Sequence, residues 1–219
     1  MNQCFICNSN TQDVLSYQSI CHGCLSLIKH PEYDCLRCGV ELQSDHGICG
    51  NCQTKPPMFS EVKYVGVYQF PIDNWVKNLK FGKNILMSTM FAELMQPLLN
   101  EIEPDYCLMP VPLHVSRLRS RGYNQAYEIV KEISKLSNRP IDTSLKRSIN
   151  TKMQAQLKLN QRASNVSKAF LVQGDLDNKK IVLIDDVMTS GNTLKECAKT
   201  LKKAGALDIK IIIFARKSL

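Results

Sequence analysis

Residues 181–194 read IVLIDDVMTSGNTL. The first four are all apolar, as a strand buried on both faces of a parallel sheet requires. Two carboxylates, Asp185 and Asp186, follow at once. After Val187 and Met188 comes the run Thr189, Ser190, Gly191, Asn192, Thr193, and then helical spacing begins. Small residues let successive backbone amides converge on an anion, and the start of a helix favours negative charge there. The hydroxyls of Thr189, Ser190 and Thr193 can donate to the same oxygens. The two carboxylates can accept from ribose hydroxyls or approach Mg²⁺ on a pyrophosphate. A lone Asp-Asp would say little. The ordered set of strand, carboxylates, hydroxyls and glycine predicts a site for a phosphorylated ribose.

On either side of this stretch, strand and helix patterns alternate. Residues 62–70, VKYVGVYQF, read as a strand, rich in β-branched and aromatic side chains. Residues 73–99 show helical spacing with a break near Phe81 and Gly82. Residues 106–111 read as a short buried strand, 123–136 as an amphipathic helix, 193–204 as a helix and 209–215 as a last strand. Residues 143–168 are polar, basic and weakly periodic, which predicts a long loop or mobile segment. The alternation predicts an α/β fold, a parallel sheet with helices on both faces and ligands at the carboxyl ends of its strands. Trp75, Cys107 and Cys197 sit in apolar patterns and read as core.

Eight of the ten cysteines form four Cys-x-x-Cys pairs: Cys4/Cys7, Cys21/Cys24, Cys35/Cys38 and Cys49/Cys52. That spacing aims two thiolates at one metal, and two pairs complete a tetrahedral zinc shell. The array therefore predicts two structural zinc sites in a double zinc-ribbon module of residues 1–56. Sequential pairing is the simplest, with a crossed pairing as the alternative. His22 and His46 read as bystanders. A closed thiolate shell leaves no position for water, so the metals staple a module too small for its own core. The module can also serve to dock a partner. Thr54-Lys55-Pro56-Pro57 reads as the linker to the remaining residues, 57–219.

The net charge of +8 is uneven. Residues 1–60 hold three bases and five acids, whereas residues 115–168 hold twelve bases and three acids. A concentrated basic segment predicts a polyanionic partner, a phosphorylated ligand or nucleic acid. No apolar run reaches the length of a membrane span, and the amino terminus does not read as a secretory signal. Both features predict a cytoplasmic protein. A peripheral position at the inner membrane is compatible with them.

The stretch 181–194 resembles the phosphoribosyl-pyrophosphate motif of type I phosphoribosyltransferases. That resemblance implies a pyrophosphate cradle after an earlier strand, where this chain has MPVPLH at 109–114. Pro112 and Leu113 match the cradle. Arg117, Arg119 and Arg121 follow at alternate positions and can neutralise pyrophosphate or grip a phosphodiester backbone. The run PVPLHVSRLRSRGYNQA further resembles the ComF (ComFC) family of bacterial competence proteins. The likeness continues through Leu145-Lys146-Arg147, Thr151-Lys152-Met153-Gln154, Leu157, Arg162, Asn165, Ala169 and Phe170, and the Lys80-Phe81-Gly82 turn.

This resemblance implies a type I phosphoribosyltransferase fold behind a zinc module. It also implies a role in handling single-stranded DNA in natural transformation, with partners in the uptake machinery. Asp185 and Asp186 are the expected catalytic pair. Together with Thr189, Ser190, Gly191, Asn192, Thr193, Pro112, Leu113, Arg119 and Arg121 they would hold phosphoribosyl pyrophosphate and Mg²⁺. Arg117, Arg119, Arg121, Lys152, Lys158, Arg162 and Lys168 are the candidate DNA contacts. Tyr123 or Tyr127 is available for stacking unless packed in the core. A conventional phosphoribosyltransferase acting on a nucleobase is the second reading. A regulator that only senses the ligand is the third, and no helix-turn-helix pattern supports it.

Overall fold

The computed structural model describes residues 3–9, 19–44, 47–82, 85–147 and 169–217. Two short helices, α1 (His22–Leu25) and α2 (Gly50–Thr54), lie among the cysteines. Next come β1 (Glu61–Val67), α3 (Ile72–Phe81), α4 (Met87–Asn100), β2 (Tyr106–Pro110), α5 (Val115–Arg121) and α6 (Gln125–Ser137). The chain continues with β3 (Leu145–Arg147), β4 (Phe170–Val172), β5 (Lys180–Met188), α7 (Asn192–Lys203) and β6 (Asp208–Arg216). Four strands form a parallel sheet in the order β1-β6-β5-β2, and β3 pairs with β4 antiparallel.

Side-chain alternation along the central strands divides the core into two layers. Val182, Ile184, Ile212 and Phe214 face one layer with Trp75, Phe91 and Ile129 from α3, α4 and α6. Ile181, Leu183, Ile211 and Ile213 face the other, against Leu194, Cys197 and Leu201 of α7 and Phe170 of β4. Trp75 and Cys197 are buried, as the sequence predicts. The expected parallel sheet with helices on both faces is thus observed. Among the described residues no helix is long and apolar enough to cross a membrane.

Several boundaries differ from the sequence reading. β1 stops at Val67, because the amide of Gln69 turns back onto the Val67 carbonyl at 2.8 Å. β5 runs on to Met188, since β6 pairs with it as far as Met188 and Arg216. Asp185 and Asp186 therefore lie on the strand itself, not in the loop beyond it. Residues 115–121 form the helix α5, which carries no buried side chain and hence no apolar stripe to announce it. Lys152, Lys158, Arg162, Lys168 and most of the expected 143–168 loop lie outside the described residues.

The cysteine-rich residues pack against the sheet. Cys4, Ile20 and Cys24 join the α4 layer of the core. The Val67 amide donates to the Lys29 carbonyl at 2.9 Å. Gly66 is needed at this crossing, because a Cβ there would run into Ile28 and Ile72. Further along, the Tyr64 hydroxyl donates to Asp34 at 2.6 Å.

Candidate functional site

β2 ends at Pro110, opposite Ile184, and β5 runs on beyond it to Met188. Above their carboxyl ends lies a cavity of about 430 Å³. Asp185 and Asp186 line it from β5, Thr189 from the following loop, Thr193 from the first turn of α7, and Pro112 and Leu113 from the loop after β2. Lys80, Arg117, Arg121, Arg147 and Lys217 also line it. Five cationic side chains thus face two carboxylates in one small volume. Such a field holds a polyanion better than a neutral sugar.

The two carboxylates have different surroundings. Asp186 is buried, and its Oδ1 lies 2.9 Å from Nζ of Lys80. Asp185 accepts from the Asp186 amide at 2.9 Å. Burial, then the neighbouring Asp186, push the Asp185 carboxyl up to about 7, against the opposing charges of Lys80 and Arg147. Asp185 therefore changes charge near neutrality. As the carboxylate it accepts hydrogen bonds or holds a cation. As the acid it donates.

Gly191 caps α7 with a φ of 74°, a left-handed conformation that favours glycine. A Cβ at this position would also collide with the Met188 side chain. Ser190 and Asn192 are exposed and do not line the cavity as Thr189 and Thr193 do.

The helical form of 115–121 changes the reading of the arginines. Arg117 and Arg121 are four apart, hence on one helix face, and both line the cavity. Arg119 lies about 200° around the helix from Arg117. It is exposed and not part of the cavity lining, so alternate spacing does not place three arginines together. Arg121 is held by Gln125, which accepts from Nη1 at 3.0 Å, and lies 5.4 Å from the ring centre of Phe81. Asn124 donates to the Val111 carbonyl at 3.0 Å and caps α6, accepting from the Ala126 amide at 3.2 Å. Tyr123 is buried and its hydroxyl donates to the Leu79 carbonyl, so it belongs to the core and is not available for stacking. Tyr127 is more open and lines an adjoining cavity of about 490 Å³.

Sequence reasoning left Tyr68, Lys80, Arg147 and Lys217 out of the site, although all four line the cavity. Lys217 had a usable signal: it directly follows a parallel strand at its carboxyl end. Lys80 lies in a stretch that reads as a helix, and Arg147 in a basic segment that reads as a loop, and neither pattern points to this cavity.

The cysteines gather as Cys4, Cys7, Cys21, Cys24 and as Cys35, Cys38, Cys49, Cys52, the sequential pairing. Within each group the sulfurs lie within 4.8 Å of one another. Cys7 and Cys21 sulfurs are 3.5 Å apart, and those of Cys38 and Cys49 are 3.7 Å apart. A tetrahedral shell with Zn–S near 2.3 Å has sulfur edges of about 3.8 Å. The amides of Ile6 and Cys49 donate to Cys4 and Cys35 sulfurs at 3.4 and 3.3 Å, as suits thiolate ligands. These residues fit zinc in both clusters. His22 is in neither cluster, and His46 lies outside the described residues. Burial raises the thiol pKa of Cys107 and of Cys197, which suits packing residues better than nucleophiles.

A parallel sheet with a hydroxyl-rich loop after β5 and a cationic cavity above it defines a phosphoribosyltransferase-type unit. Residues 94–218 match the phosphoribosyl transferase domain model, and the chain belongs to that family. Competence protein F of Haemophilus influenzae is 29% identical over 98% of this chain and 96% of its own length. DNA utilization protein YhgH of Escherichia coli K12 is 26% identical, over 97% and 96%. Competence protein ComFC of Streptococcus pneumoniae is 25% identical, over 98% and 100%. The likeness to the ComF/ComFC proteins therefore extends over nearly the whole chain.

Proposed function

We propose that the chain binds phosphoribosyl pyrophosphate in the cavity above β2 and β5 and uses it in handling single-stranded DNA during natural transformation. One observation carries the ligand: five cationic side chains around two carboxylates, under a hydroxyl-rich loop. Asp185 and Asp186 accept from the ribose hydroxyls. Thr189 and Thr193 take the 5-phosphate with their side chains, and Ser190, Gly191 and Asn192 with their backbone amides. Pro112, Leu113, Arg117 and Arg121 border the pyrophosphate. Mg²⁺ would neutralise part of the pyrophosphate charge when bound. Residues 1–56 act as a zinc-held module on a phosphoribosyltransferase-like domain of residues 57–219, and the closed thiolate shells crosslink the chain without activating water.

The basic segment and the printed names of the relatives support the DNA role. The protein then works at the cytoplasmic side of the inner membrane beside other uptake proteins. The test is a titration of phosphoribosyl pyrophosphate and Mg²⁺ with and without a labelled single strand, repeated across salt. The reading expects ligand binding, DNA binding that weakens steeply with salt, and a mutual effect between the two. No ligand binding, or DNA binding indifferent to salt, would sink it.

Membership of the phosphoribosyl transferase domain family favours a second reading, transfer of the phosphoribosyl group to a small acceptor. The carboxylates would then stabilise positive charge developing on the ribose, and the cationic rim would receive the leaving pyrophosphate. The cavity lined by Leu118, Tyr127 and Pro112 has room for an acceptor ring. A panel of nucleobases with labelled phosphoribosyl pyrophosphate decides between the readings. Turnover of one base at about 1–1000 per second favours the second.

A further inference from the structure

Arg216, the last residue of β6, is buried. Its Nε donates to the Cys38 carbonyl at 3.1 Å. Its Nη1 donates to the carbonyls of Met188 at 3.1 Å and Thr189 at 2.5 Å. One guanidinium therefore joins the turn of the second cysteine cluster to the start of the phosphate loop. We propose that Arg216 is a positioning residue through which zinc in the second cluster sets the phosphate loop, so that zinc retention there and binding of phosphoribosyl pyrophosphate are linked.

The geometry on the loop side is specific. A trans peptide points its amide opposite its carbonyl. Holding the Met188 and Thr189 carbonyls toward Arg216 therefore turns the Thr189 and Ser190 amides away from it. Those amides open the segment 189–193, which runs into α7 and lines the cavity with the side chains of Thr189 and Thr193. On the cluster side, the Cys38 carbonyl belongs to a turn closed by Gly39 donating to Cys35 at 2.7 Å and Cys35 donating to Val40 at 2.8 Å. Among the described residues, the small core there has, beyond its cysteines, Val40, Leu42 and Ile48. So little apolar surface does not hold a turn without its metal. Loss of zinc frees the Cys38 carbonyl and leaves a buried guanidinium short of an acceptor, an arrangement that proteins avoid. The loop carbonyls then shift with Arg216.

The proposal rests on the ligand assignment above and on zinc filling the second cluster. The test uses the full zinc-loaded chain. Zinc release to a chromogenic chelator is followed with and without saturating phosphoribosyl pyrophosphate and Mg²⁺, alongside hydrogen exchange of peptides from 35–52 and 19–28. The ligand is expected to slow release from one of the two sites by about tenfold, a coupling of ordinary size, and to protect 35–52 but not 19–28. Arg216→Lys keeps the charge but loses the fork that reaches both sides. It is expected to retain both zinc ions, to bind the ligand about tenfold more weakly and to lose the ligand effect on zinc release. Ligand binding to the wild-type chain with unchanged zinc release and exchange overturns the linkage alone. No ligand binding at all overturns the ligand assignment together with it. An Arg216→Lys chain that behaves as wild type removes Arg216 from the proposal and overturns it.

Discussion

Nζ of Lys80, on the last turn of α3, lies 2.9 Å from Oδ1 of Asp186, near the carboxyl end of β5. Both residues line the cavity, and the pair places one positive charge against two adjacent carboxylates. Lys80→Met leaves Asp186 buried without that partner and removes a charge that holds Asp185 down. The expected loss of stability is about 1–3 kcal/mol at pH 8, since breaking a largely buried pair strands its partner. At pH 6 the loss is smaller, because a proton on Asp185 relieves the repulsion. Urea unfolding at the two pH values checks this. An equal loss at both would show that Lys80 acts by packing alone.

Asp185 sets a pH dependence of its own. Its folded value near 7 lies above the ordinary carboxyl value of about 3.9. Between these values the folded chain holds a proton that the unfolded chain has lost, so this group's contribution to stability falls as pH rises from about 4 to 7 and then levels off. Asp185→Asn removes the titration. The variant should gain on the wild type across that window, by about 1–3 kcal/mol at its upper end. Ligand binding should run the other way, since the carboxylate is the form that accepts from ribose or holds Mg²⁺. Calorimetry in buffers of different ionisation enthalpy should show proton release on binding at pH 7 that shrinks in Asp185→Asn. A stability difference that stays flat with pH would place the Asp185 titration elsewhere.

The arginines of α5 separate two geometries. On a helix, Arg117 and Arg121 share the cavity face and Arg119 does not. Arg117→Ala and Arg121→Ala should each weaken phosphoribosyl pyrophosphate about ten- to a hundredfold, as for a lost charge-assisted contact. Arg119→Ala should stay within about twofold. In DNA titrations, each arginine that meets a phosphate should lower the salt slope by about 0.7 when removed. Equal losses of ligand affinity at all three positions would favour an extended cradle over the helix.

The contrast between α5 and β5 shows which features a sequence displays. Ile181 to Ile184 and Ile211 to Phe214 are apolar whichever face they point to, so burial on both faces is written in each segment by itself. The cysteine clusters are equally local, because a tight turn decides which thiolates meet. α5 buries nothing and leaves no periodic trace. Lys80 and Lys217 enter the cavity from elements more than a hundred residues apart, brought together by strand order. The place of β6 between β1 and β5 also puts Arg216 beside Cys38, and nothing in either segment announces that contact.

Charge counting along 115–168 treats Arg139 as one of twelve bases available to a polyanion, but its position argues otherwise. Arg139 is largely buried, and its guanidinium donates to the carbonyls of Glu103 at 2.8 Å, Leu99 at 3.1 Å and Ile102 at 2.5 Å. These groups lie at and just beyond the carboxyl end of α4, where a cation also meets the negative end of the helix dipole. Arg139→Ala should therefore lower stability by about 2–4 kcal/mol, the range for exposing several charge-assisted bonds at once. Arg139→Lys should recover part of it, because an ammonium cannot reach three carbonyls in the same fork. Single-stranded DNA affinity and its salt slope should stay at wild-type values in both variants under conditions where they are folded. A slope reduced by about 0.7 in the alanine variant but not in the lysine variant, with stability unchanged, would return Arg139 to the nucleic-acid surface.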